Sequence, residues 1–382
     1  MNKTYCSAAF SHIYSNSSGY YKLCCHSYDH LSELTKYNVD ETPPFEFFLS
    51  DEMEDIRNEM LEGGHIPGCE KCYSIEDNGY QSPRQRRFNK RKILTEVSEV
   101  ELKLRIFGNH CNLSCYMCIP FNSSTRTKEL KEMGIYEEIS KGKNYEAAIK
   151  YKDWKSVEKN ILDNIHLVEI LHLTGGEPFL LPKHYDFLEK IPDEYAKNIT
   201  LAYDTNLTVL EYKGRSVFDY ISKFKEIKLS VSCDHYGKKL EWIRYPIDHL
   251  QFEENIKTVK SRKDNIEITA INVTTSILNV EDLYDIRSYY LDKFDIECKF
   301  YNVVNTPLYL NVKNHPLKNE LYEKYKDDFA MDLVCRNLKM DTNLNEWNYA
   351  IDYINKLDKH RNTNYKDLWP YDRIGLIDVV NV

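Results

Sequence analysis

The chain has 382 residues, with 51 basic against 60 acidic side chains and a net charge of −9, a balance that argues against a general nucleic-acid-binding surface. The length exceeds that of a usual single domain and predicts at least two modules, or one large barrel with additions; a 42% hydrophobic fraction is enough for a real core. The first twenty residues lack the basic start and apolar run of a signal peptide, and no stretch has eighteen consecutive apolar residues, so no membrane segment and a cytoplasmic location are expected.

In a reducing compartment, eleven cysteines are expected as metal ligands or core thiols rather than disulfides. Five of them, Cys6, Cys24, Cys25, Cys69 and Cys72, lie before Leu94. Cys69-Glu70-Lys71-Cys72 is a C-x2-C pair set after the turn-rich Gly63-Gly64-His65-Ile66-Pro67-Gly68, which lets backbone wrap closely around a metal. Cys6 and Cys24 flank a predicted hairpin turning at Asn16-Ser17-Ser18-Gly19, whose strand ends meet as shared ligation requires. Chemistry alone accepts either Cys24 or Cys25, and a zinc with four cysteine ligands is one reading of the quartet. The basic run Ile75 to Lys92 reads as a solvated linker helix, or else as a groove for an anion.

From residue 101 strand-like and helix-like blocks alternate, the mark of a parallel α/β architecture. Strands are predicted at Glu101–Phe107, Val168–Leu173, Asn198–Asp204, Glu226–Ser232, Ile266–Thr274 and Glu297–Val304, and helices at Asp153–Ile165 and Val280–Leu291, the latter opening at Asn279 as a cap. Directly after the first strand comes Cys111-Asn112-Leu113-Ser114-Cys115-Tyr116-Met117-Cys118, three thiols spaced C-x3-C-x2-C. Iron–sulfur clusters usually take four cysteines, so three leave one iron open to a substrate or cosubstrate. One βα unit on, a strand ends in Leu173-Thr174-Gly175-Gly176-Glu177-Pro178.

Together these two motifs resemble the radical S-adenosylmethionine (radical SAM) superfamily, whose first strand ends in a three-cysteine cluster loop and whose second ends in a Gly-Gly-Glu segment. The resemblance implies a partial (β/α)6 TIM-like barrel, where spacing alone equally allows an open doubly wound sheet. It also implies a 4Fe–4S cluster on Cys111, Cys115 and Cys118, with S-adenosylmethionine (SAM) chelating the open iron. Gly175, Gly176 and Glu177 would hold the methionine end of SAM, and Met117, Asn206, Ser232 and Arg244 would stand near it. As alternatives, Asn206 and Ser232 are strand-end caps and Arg244 is a surface residue. The N-terminal cysteines resemble the twitch or SPASM-type auxiliary domain, here placed ahead of the barrel, which implies a second 4Fe–4S cluster on Cys6, Cys24, Cys69 and Cys72. The glycine-to-cysteine spacing then selects Cys24 over Cys25, and Ser82 and Arg84 match a Ser-x-Arg stretch of such domains.

The implied organisation is 1–94 auxiliary cluster domain, 95–310 barrel and 311–382 helical extension, the last without a chemical motif. The implied chemistry is reductive cleavage of SAM to a 5′-deoxyadenosyl radical that abstracts hydrogen, with electrons from flavodoxin or ferredoxin. A peptide or protein side chain is the expected substrate, with a sugar, nucleotide or other small molecule as the alternative, and a non-catalytic iron–sulfur or zinc protein as the reading from another class. Cys233, Cys298 and Cys335 show no paired spacing and are expected as structural thiols, with hydrogen donation to a substrate radical as the alternative for Cys233.

Overall fold

A computed structural model describes residues 3–16, 18–27, 33–88, 93–105, 108–140 and 153–368. Its ten strands are β1 (His12–Ser15), β2 (Tyr21–Lys22), β3 (Val100–Leu104), β4 (Val168–Leu173), β5 (Thr200–Thr205), β6 (Glu211–Tyr212), β7 (Arg215–Ser216), β8 (Glu226–Ser232), β9 (Ile266–Thr275) and β10 (Cys298–Val303). Eight of them form one sheet in the order β10-β9-β8-β5-β4-β3-β1-β2; among the described residues it does not close into a barrel. β1/β3, β3/β4, β4/β5 and β9/β10 pair in parallel, and β1/β2 antiparallel. All six predicted strands are present, shifted by no more than two residues where both ends are described. The first ends at Leu104, and its predicted last residues, Ile106 and Phe107, lie outside the described residues.

By its contacts the chain divides into two units: Met1–His110 with Glu146–Asp204 and Glu211–Lys228, and Cys111–Tyr145 with Thr205–Leu210 and Leu229–Val382. In the first unit the hairpin forms as expected, Asn16 N–H donating to Tyr20 O over 2.9 Å; Ser17, in its turn, lies outside the described residues. Its first strand does more than carry the hairpin. β1 pairs with β3 in the register His12↔Glu101, Ile13↔Leu102 and Tyr14↔Lys103, and β3 continues to β4 through Leu102↔Leu171 and Lys103↔His172.

Because side chains alternate along a strand, this register sorts the residues into two faces. Ile13, Leu102, Leu104, Leu171, Leu173, Leu201 and Tyr203 fill one, all buried. The other carries His12, Glu101, Lys103, His172 and Asp204. Here Lys103 Nζ lies 3.0 Å from Asp204 Oδ2, and His172 bridges Glu101 Oε1 at 3.2 Å and Asp204 Oδ2 at 3.1 Å; Arg87 also pairs with Glu101. Buried charges persist only when paired, which is how Glu101 can occupy the middle of a sheet.

In the second unit, the helix predicted from Asn279 opens with a 3-10 turn, Val280–Asp282, and runs on as Leu283–Phe294. Asn279 does not cap it through its side chain. Its amide instead donates to Asp234 O (3.0 Å) and Thr274 O (3.1 Å), and its oxygen accepts from Ser276 N–H (2.9 Å), tying the ends of two strands. In the first unit, the helix predicted from Asp153 is Trp154–Asp163, with Asp153 accepting from Ser156 N–H at 3.1 Å. The C-terminal extension is helical as expected: Lys318–Tyr325, Asp332–Leu338 and Leu344–Arg361, the second packing on β10. Residues 369–382 of that extension lie outside the described residues. No described helix is long and apolar enough to cross a membrane.

His12 gives the polar face a pH signature. Burial holds its imidazole down at about 3, although Glu101, 3.7 Å away, pulls the other way. A group neutral in the fold but protonated near its ordinary value of ~6.5 when unfolded removes stability as pH falls below that value. Between pH 7 and pH 5 the loss through His12 should be about 2 kcal/mol. His12→Gln should remove that part of the pH dependence in anaerobic urea unfolding; an unchanged slope would contradict the assignment.

Candidate metal centres

In the second unit the loop Cys111–Cys118 is tied down atom by atom. Ser114 N–H donates to Tyr245 O over 2.6 Å and Tyr116 N–H to Ile243 O over 2.9 Å, so the loop pairs with the chain leaving the helix Gly237–Ile243. Ser123 Oγ donates to Leu113 O over 2.8 Å, Thr125 Oγ1 bonds Cys111 O, and Ser124 Oγ accepts from Cys111 N–H at 3.4 Å. Met117 packs against the apolar cluster around Tyr116, Trp242 and Leu357. With the backbone committed in this way, three sulfurs remain. Cys115 is buried, Cys111 and Cys118 half-buried.

One sequence-identified residue braces this loop. Asn206, also buried, points its amide at Cys111 Sγ (3.8 Å) and Asn112 Oδ1 (3.0 Å), while its oxygen accepts from Thr208 N–H (3.0 Å). Arg244 is not a surface residue. It is buried and its Nε donates to Asp234 Oδ2 over 2.6 Å, while Asp234 Oδ1 accepts from Thr274 N–H at 2.7 Å. Burial raises the Cys115 thiol, and the Arg244 charge opposes that rise. Ser232 is half-buried as the last residue of β8.

The Gly-Gly-Glu segment, in the first unit, lies on the residues just before the loop. Gly176 N–H donates to Gly108 O (3.2 Å) and Glu177 N–H to His110 O (2.7 Å). A Cβ on Gly176 would sit 2.0 Å from His110 O and 2.6 Å from Asn109 C, backbone atoms that cannot yield. Glycine is required there by contact alone. Glu177 is fully buried, with Oε1 accepting from Phe179 N–H at 3.3 Å.

The first unit also gathers the N-terminal cysteines. Cys6, Cys24, Cys69 and Cys72 line one cavity, together with His26, Met60 and Arg84; Cys25 is not in its lining. Burial pushes the Cys6 and Cys69 thiols up to about 12 and raises Cys24 and Cys72 as well. Thiols so placed ionise when a metal displaces the proton. One N–H group already points at a sulfur of this set, His26 N–H at Cys24 Sγ (3.4 Å). In the second unit Leu113 N–H meets Cys111 Sγ at 3.4 Å. Cys24 and Cys111 thus each accept from the residue two positions on, and such bonds favour the thiolate and tune a cluster. Both donor sets suit an iron–sulfur group.

Ser82 and Arg84 belong to this cavity's support. Arg84 is buried; its Nε meets Glu76 Oε1 at 3.0 Å and its Nη1 donates to Tyr5 O at 2.6 Å, while Ser82 also bonds Glu76. Ser82–Arg84, in the middle of the basic run, is therefore not a solvated linker, and Arg84–Phe88 is a π-helix; the last residues of the run, 89–92, lie outside the described residues. Cys233 is fully buried, with Sγ at 2.9 Å from both His235 O and Tyr290 Oη, a structural thiol rather than one open to a substrate. Beyond Cys118, in the second unit, a cavity of about 620 Å³ is lined by Ile119, Pro120, Glu138, Asn305, Tyr309 and Tyr349 among others.

Residues 106–289 match the family model of the radical SAM superfamily. Among solved structures the chain is similar to native anSMEcpe with bound AdoMet (17% identity, TM-score 0.41, 61% of each chain covered). It is also similar to native anSMEcpe with bound AdoMet and Cp18Cys peptide (18% identity, TM-score 0.38, 59% of each chain). A third is Streptococcus suis SuiB bound to S-adenosylmethionine (15% identity, TM-score 0.32, 60% of this chain and 44% of that one). The chain thus spans about three-fifths of the length of the first of these. No curated protein matches it.

Gly176→Ala should lower stability by about 1–3 kcal/mol, the usual range for overpacking, as read by the urea midpoint. A midpoint equal to wild type would contradict the contact with His110.

Proposed function

We propose that the chain is a radical SAM enzyme that binds a 4Fe–4S cluster through Cys111, Cys115 and Cys118. The observation that carries this reading is the loop itself: three sulfurs on a backbone tied at both ends, inside the segment that matches the superfamily. When bound, the cluster and SAM supply a hydrogen-abstracting radical, which is the cofactor's own chemistry. The chain supplies position. Gly175 and Gly176 admit the methionine moiety, and Glu177 offers a buried carboxylate to its ammonium group. Arg244, steadied by Asp234, meets its carboxylate, a pairing that suits a planar guanidinium. Met117 and Ser232 complete the surroundings, and Asn206 orients Cys111.

In the same proposal Cys6, Cys24, Cys69 and Cys72 hold a second, fully ligated 4Fe–4S cluster within an auxiliary region, 1–94, ahead of a barrel, 95–310, and a helical extension, 311–382. The shared cavity and the His26 N–H aimed at Cys24 support this reading over isolated core thiols. Such a cluster accepts or conducts an electron. The working partners are a cytoplasmic flavodoxin- or ferredoxin-type donor and a peptide or protein side chain as substrate, the substrate class following from the twitch-like arrangement of the N-terminal cysteines. The cavity beyond Cys118 offers amide, phenol and carboxylate groups that suit a peptide segment.

Anaerobic reconstitution with iron and sulfide should yield about eight irons per chain and about four after Cys111, Cys115 and Cys118 are changed together to Ala. With dithionite and SAM the loaded wild type should release 5′-deoxyadenosine and the triple variant none. A well-loaded wild type that makes none would overturn the enzyme reading; a triple variant that keeps all its iron would overturn the ligand assignment.

A further inference from the structure

The C-terminal helix Leu344–Arg361 carries no motif, yet its last turn reaches the cysteine loop, within the second unit. Arg361 is buried; Nη2 bonds Ser114 O, and Nε and Nη2 hold Glu129 at 2.7 and 2.9 Å. Its guanidinium also lies 4.6 Å from the ring centres of both Tyr116 and Tyr245. Nη1, buried, makes no hydrogen bond, and the two rings add cation–π contact to the Glu129 pair. One turn earlier on the same helix face, Asp358 accepts from Tyr116 Oη (2.8 Å) and Trp242 Nε1 (2.6 Å), and from Tyr365 N–H (2.6 Å) as the chain turns back. Asn362, in the left-handed region at φ 54°, makes that turn.

Ser114 and Tyr116 flank Cys115 on either side. The helix therefore grips both neighbours of the middle cysteine, one through a cation and one through an anion. We propose that Arg361 and Asp358 are positioning residues of the cluster loop, and that their opposite buried charges bias the redox poise of the cluster it holds. The proposal rests on reading Cys111–Cys118 as a cluster loop. The facing charges are Arg126, Glu129, Arg244 and Asp234. Arg126 and Arg361 share Glu129, and Arg244 is matched by Asp234. Removing Arg361 thus leaves an uncompensated shift toward negative potential at the loop, and neutralising Asp358 a shift toward positive. A reduced cluster carries one more negative charge, so the two changes act in opposite directions.

The test uses the full chain, reconstituted anaerobically, with each cluster followed by electron paramagnetic resonance during a redox titration. At a fixed poise the reduced-to-oxidised ratio of the loop cluster should fall about tenfold in Arg361→Gln, equal to 59 mV for a one-electron couple. It should rise in Asp358→Asn and return to within about threefold of wild type in Arg361→Lys, which keeps the charge. The N-terminal cluster should not move. Loss of about four irons from Arg361→Gln, with the N-terminal signal retained, equally supports a positioning role. If Arg361→Gln loses both clusters, Arg361→Lys and Asp358→Asn decide. Variants that keep their iron and shift in the same direction, or not at all, overturn the proposal. A wild type that takes up no iron at the loop would instead overturn the cluster reading itself.

Discussion

The second unit depends on the immobilisation of one short loop. Between Cys111 and Cys118 the amides of Cys111, Ser114 and Tyr116 and the carbonyls of Cys111, Leu113 and Ser114 are tied to the chain at 243–245, to the hydroxyls of Ser123, Ser124 and Thr125, and to Arg361. A loop with free backbone groups would wander and would need each of them satisfied on burial. Once they are committed, the remaining chemical freedom lies in the sulfurs. Preorganisation of this kind is what a catalytic metal site requires of its scaffold. The aromatic stack of Tyr116 on Trp242, 4.2 Å between ring centres, and the carboxylate of Asp358 that meets both polar tips convert that local order into part of a core.

In the first unit the corresponding constraint is electrostatic. The sheet face carrying His12, Glu101, Lys103, His172 and Asp204 is held by mutual pairing, and the carboxyls of Glu101 and Asp204 stay well below the usual carboxylate range despite burial because cations and imidazoles surround them. The same N-terminal segment that adds β1 to this sheet also supplies Cys6, so the cysteine cavity is anchored to a rigid element rather than to an isolated loop. Arg84 reinforces it from the other side by joining Glu76 to Tyr5.

Much of this was legible in the sequence because the relevant signals are local. The alternation of strand-like and helix-like blocks located six strands, and the spacings of Cys111, Cys115 and Cys118 and of Cys69 and Cys72 located the thiols. Gly175-Gly176-Glu177 stood out as the segment expected to hold the methionine end of SAM, but the packing of His110 on Gly176 was not legible. The parts that were not legible depend on contacts between distant residues. Glu101 and Lys103 read as the solvent positions of a half-buried strand, since their partners lie on β4 and β5. Arg361 follows Lys359 and His360 and looks like ordinary charge at a helix end; its contact with Ser114 spans 247 positions. Asn279 sits where a cap belongs but serves as a brace, because Asp234 and Thr274 come within its reach only in the folded chain.

Under the proposed function one cluster is open to SAM and another is closed. Electron paramagnetic resonance of the dithionite-reduced, fully loaded chain, recorded with and without SAM, addresses it directly. Two overlapping cluster signals are expected, and SAM should change the shape and position of one of them, the one absent when Cys111, Cys115 and Cys118 are replaced. A spectrum that SAM leaves untouched, or a SAM-sensitive signal that survives that replacement, would contradict the account.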